Sequence, residues 1–104
     1  MDLNDFGWEH KPPEYETGDY WFDGKFLVSQ GVQDALSGAE IFFIYAHIIN
    51  LVQQHQGIDY VQVFEQKEKG YKLFFLDQVT RESLQIGEQP PEHNYCTLLF
   101  AEEY

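Results

Sequence analysis

The sequence predicts an α+β domain in which an antiparallel sheet of four or five strands packs against one long helix. Three observations predict it: a stretch of helical period over residues 39–56, β-rich residues on both sides of Lys67-Glu68-Lys69-Gly70, and a closing apolar segment over 94–100. A chain of 104 residues makes one domain, 1–104, of which 1–18 is read as an acidic aromatic arm.

The arm comes first. Residues 1–23 hold seven acids, one lysine and six aromatics, so half of the net charge of −12 sits there. Prolines interrupt it too often for a helix, and Phe6, Trp8, Tyr15, Tyr20, Trp21 and Phe22 are costly to leave in water. The segment must dock on something, either the chain's own sheet or a partner. Asp23-Gly24 follows, between Tyr20-Trp21-Phe22 and Lys25-Phe26-Leu27-Val28, and this pattern predicts a hairpin of two short strands. A helical turn is expected over 32–36, and Ser37 is placed to cap the long helix that Gly57 ends.

Projected at 100° per residue, Ile41, Ile44, Tyr45, Ile48, Ile49, Leu51 and Val52 fall on one half of that helix, which is therefore its core side. The opposite half carries His47, Asn50, Gln53 and Gln54, with Phe43 among them as the odd residue. Residues 58–79 read as a hairpin whose turn places Gln66 opposite Tyr71 and Glu65 opposite Lys72. Val61, Val63, Phe74 and Leu76 then share one face, expected to meet Ile41, Ile44, Ile48 and Val52. The other face, with Tyr60, Gln62, Phe64, Tyr71, Leu73, Phe75 and Asp77, is also too apolar to stay in water. Residues 80–91 read as a connection with at most a helical turn, and the last strand ends in an acidic tail.

Eighteen acids against six bases keep the chain soluble and repel phosphate backbones and anionic lipid. Direct nucleic-acid or membrane binding is not expected; a basic or apolar protein surface is. The single cysteine excludes an internal disulfide, no signal-peptide pattern opens the chain, and the longest apolar run is too short to span a bilayer. The cytoplasm is the expected compartment.

From Gly31-Val32 through the apolar helix to Asp59-Tyr60-Val61-Gln62-Val63-Phe64-Glu65, the pattern resembles a family of small uncharacterised bacterial and phage-borne proteins known as a domain of unknown function. It covers about a third of the chain. The resemblance implies no activity and no functional residues.

No constellation here specifies a reaction. His10, His47, His55 and His93 lack the three- or four-residue helical spacing of metal ligands, and His47 and His55 lie about 12 Å apart along the helix at ~1.5 Å per residue. No metal and no cofactor is expected. Cys96 alternates in phase with Leu98 and Phe100 and reads as a small buried hydrophobe. Asp59 and Asp77 are the carboxylates nearest to apolar residues, but both stand at strand ends, where solvation is ordinary. Phe43, His47, Asn50 and Gln54 form a helix stripe at i, i+4, i+7 and i+11, the spacing that meets a partner groove, although the arm itself could wrap over it. With Trp8 and Tyr15 they make up the expected partner-binding set. The sequence thus points to a non-catalytic interaction or regulatory module, monomer or homodimer, with a nucleic-acid-mimicking inhibitor as the alternative.

Overall fold

A computed structural model describes residues 3–104. In chain order it contains β1 (Glu9–Lys11), β2 (Lys25–Val28), α1 (Gln30–Ala35), α2 (Gly38–His55), β3 (Val61–Gln66), β4 (Tyr71–Asp77), α3 (Arg81–Gln85) and β5 (Tyr95–Phe100), with short 3-10 turns at Leu3–Phe6, Pro91–His93 and Ala101–Glu103. The fold is α+β, as expected, and the sheet has five strands in the order β1-β3-β4-β5-β2.

Most pairings are antiparallel, but β2 runs parallel to β5, from Lys25 beside Tyr95 to Val28 beside Leu98. The hairpin expected around Asp23-Gly24 does not form. Tyr20 instead bridges Ile58, and Phe22 takes a left-handed backbone with φ 51°. The Asp-Gly pair serves a different close approach: a Cβ on Gly24 would lie 2.2 Å from the Asn94 carbonyl oxygen, so only glycine lets the chain enter β2 there.

Two helix starts follow from local chemistry. Ser29 caps α1 by accepting from the Val32 N–H. Ser37 begins α2 with a reciprocal capping box, accepting from the Glu40 N–H while the Glu40 carboxylate accepts from the Ser37 N–H. The helix ends at Gln56, itself left-handed, and at Gly57 with φ 111°. Because β2 and β3 both run parallel to β5, the chain between them has to cross the sheet, and α1 and α2 make that crossing.

The β3–β4 register is the expected one, with Glu65 beside Lys72 and Gln66 beside Tyr71. The face that meets the helix is the opposite one. Phe64, Leu73 and Phe75 join Ile44, Ile48 and Val52 in the core, whereas Val61, Val63, Phe74 and Leu76 are outside that cluster. Both faces are apolar, so hydrophobicity alone does not choose between them. The larger rings do: Phe75 packs with Phe22, Phe26 and Tyr45, and Phe64 with His10 and His47.

Candidate functional site

The buried face of the sheet carries three polar side chains among its rings, and each holds down one point of the N-terminal segment. Gln66 donates through Nε2 to the Phe6 carbonyl. Gln62 Oε1 lies 2.8 Å from His10 Nε2. Asp77 Oδ2 accepts from the Phe22 N–H at 2.8 Å. The arm is thereby part of the core: Leu3, Trp8 and Phe22 are buried, β1 pairs with β3, and Phe6 lies against Phe43 with ring centroids 5.7 Å apart.

His10 sits where arm, helix and sheet meet. Gln62 Nε2 donates to the Asp59 carbonyl, so its Oε1 is the atom turned to His10, and His10 carries its proton on Nε2. Nδ1 is then an acceptor, 3.0 Å from His47 Nε2, which donates. Protons thus point one way along His47, His10, Gln62 and the Asp59 carbonyl. Burial pushes the His10 pKa below the usual histidine value; the Gln62 hydrogen bond opposes this and His47 adds to it. A cleft of about 330 Å³ opens beside the pair, between Pro12 and Pro13 of the arm and Leu51 and His55 of α2. A shallower one of about 320 Å³ is lined by Leu3, Phe43, Ala46, His47 and Asn50.

Of the expected partner-binding residues, Phe43, His47 and Asn50 do line one groove, but the arm forms its other wall. Gln54 is exposed and lies apart from it. Tyr15 is 63% exposed. Trp8 is a correction: at 1% exposure it belongs to the core, where its Nε1 donates to Glu40 at 2.8 Å. Burial works against the Glu40 carboxylate, yet the bonds from Trp8 and Ser37 outweigh it and leave its pKa below the ordinary glutamate value. The His10–His47 contact has no signal in the sequence, because it joins residues 37 apart that only tertiary docking brings together.

Asp59 and Asp77 are buried rather than solvated, a second correction. Asp77 stands beside Cys96 in the β4–β5 register, and burial raises its pKa against the opposing bond from the Phe22 N–H. Burial, followed by the nearby Asp77 and Asp23, pushes the Cys96 thiol up to about 12. A thiol so held is protonated at neutral pH and is a weak nucleophile. Among the described residues no group of three or more His, Cys, Asp or Glu is arranged to hold a metal ion.

The outer face of the sheet is the least accounted-for surface. Register places Leu27, Val61, Val63, Phe74, Leu76 and Leu99 on it, and none of them belongs to the core cluster. Tyr104 lies edge-on to Phe74 and is 74% exposed, and Tyr95 stands on the same face at 39%. Lys11, Lys25 and Lys72 share it with Glu9 and Glu65. Among the strand residues of this face, three are lysines and two are glutamates.

Comparison with protein-family models, curated proteins and solved structures finds no match to this chain. Among the described residues no helix is long and apolar enough to cross a membrane. The chemistry of the surfaces is therefore the guide to function.

Proposed function

We propose that this chain is a non-catalytic protein-interaction module of the cytoplasm that docks through the outer face of its sheet. The observation that carries the reading is the apolar set Leu27, Val61, Val63, Phe74 and Leu99, half-buried around the buried Leu76 on the face away from α2. A half-solvated antiparallel sheet ordinarily alternates apolar inward with polar outward, and a contiguous apolar patch rimmed by charges and tyrosines marks a contact surface. The docking surface thus moves from the arm and helix stripe to the sheet, because the arm's aromatics other than Tyr15 are spent on the fold.

Three lysines on this face make natural probes. Amine-reactive crosslinking in cell extract should give inter-protein crosslinks from Lys11, Lys25 and Lys72 that Leu99→Arg suppresses, with circular dichroism unchanged. Crosslinks confined to Lys67 and Lys69 in the β3–β4 turn, or insensitive to Leu99→Arg, would count against the reading.

A further inference from the structure

Resting on that docking reading, we infer that the occupant of the outer face is a second copy of this chain, joined face to face about a two-fold axis. Charge separates the partners that could sit there. The chain carries −12 overall, so two copies repel wherever their acidic surfaces approach. The outer face is the exception: among its strand residues Lys11, Lys25 and Lys72 stand against Glu9 and Glu65, so charges of the two signs are nearly balanced there. A strongly basic partner would be drawn to the carboxylates elsewhere on the molecule and not to this face. A second copy brings a matching apolar centre and cations and carboxylates of both signs, so the patch is complementary to itself, as an isologous contact requires.

Size agrees. The five strands, of three, four, six, seven and six residues at ~3.3 Å each and about 4.8 Å apart, cover roughly 400 Å². Two such faces bury on the order of 800 Å² together, the size of a weak, reversible pair. Tyr95 and Tyr104 stand at its margin, where amphipathic rings suit a boundary that is half wet.

The salt response distinguishes this pairing from attraction between opposite charges. Two chains of like net charge held by apolar contact should associate more tightly as repulsion is screened, whereas an acidic chain on a basic partner weakens. Sedimentation of the purified full chain over about 1 to 200 µM should show a monomer–dimer equilibrium. Its dissociation constant should fall several-fold from about 0.05 to 0.5 M sodium chloride. Leu99→Arg and, independently, Thr97→Arg should give folded monomers, because each sets an unpaired charge into the apolar centre of the contact and duplicates it across the two-fold axis.

A chain that stays monomeric throughout that range, or a dimer that survives both variants, overturns the inference. If the monomer's outer-face lysines still crosslink to a different protein in a Leu99-dependent way, the second copy is wrong and the docking reading stands. Without those crosslinks both fall.

Discussion

His10 shows how one residue can couple the arm to acidity. Its folded pKa is depressed by burial, so between that value and about 6.5 the unfolded chain binds the proton more readily than the folded one. Stability therefore rises with pH through this window and is lost as pH falls below about 6.5. A second proton would also set Nδ1–H of His10 against the donating Nε2–H of His47. Denaturant titrations at pH 7 and 5.5 should show the wild type less stable at the lower pH, with a smaller difference in His10→Gln; equal slopes would mean that His10 is not the group responsible. Asp77 has the opposite sign. Its pKa is raised, so its ionised form weighs against the fold, yet its oxygen satisfies the buried Phe22 N–H. Asp77→Asn keeps an acceptor there, while Asp77→Leu strands the amide and should cost about 1–3 kcal/mol more by equilibrium unfolding.

Single elements were legible wherever their signals are local. The Ser37 cap, the end of α2 at Gly57 and the β3–β4 register all follow from residues within a few positions of one another, and all are present. What pairs with β2 was not legible, because a parallel partner 70 residues away leaves no mark on the strand itself. Nor was the buried face of the hairpin. Gln62, Gln66 and Asp77 make that face look like the wetter one, and their partners come from a segment with no strand-like pattern of its own. Neighbouring phenylalanines on β4 test the inversion directly. Phe75 is fully buried and Phe75→Ala should cost about 3–5 kcal/mol, whereas Phe74→Ala, on the half-buried outer face, should cost about 1 kcal/mol in a monomeric background such as Thr97→Arg. Equal losses would place both rings in a core.

For the molecule as a whole, the arm resolves the conflict that its composition sets up. Its aromatics other than Tyr15 are packed in or against the core, while Asp5, Glu9, Glu14, Glu16 and Asp23 remain exposed around them. Two of its acids are tied to the body: Asp19 accepts from the Glu82 N–H, and Asp23 pairs at 2.9 Å with Arg81, which stacks 3.6 Å above the Trp21 ring. An arm attached this way should not open separately from the sheet, since Trp8 and Phe22 leave large voids if withdrawn. Native-state hydrogen exchange reads this amide by amide. The Trp8 N–H on the Leu3 carbonyl, the Tyr20 N–H on Ile58 and the Phe22 N–H on Asp77 should exchange in the same slow class as the amides of β3 and β4. Trp8→Ala should cost about 3–5 kcal/mol and lower the protection of arm and sheet together. If the three arm amides exchanged orders of magnitude faster than the sheet, the arm would be a detachable strap, and the buried polar contacts that hold it would contribute little to global stability.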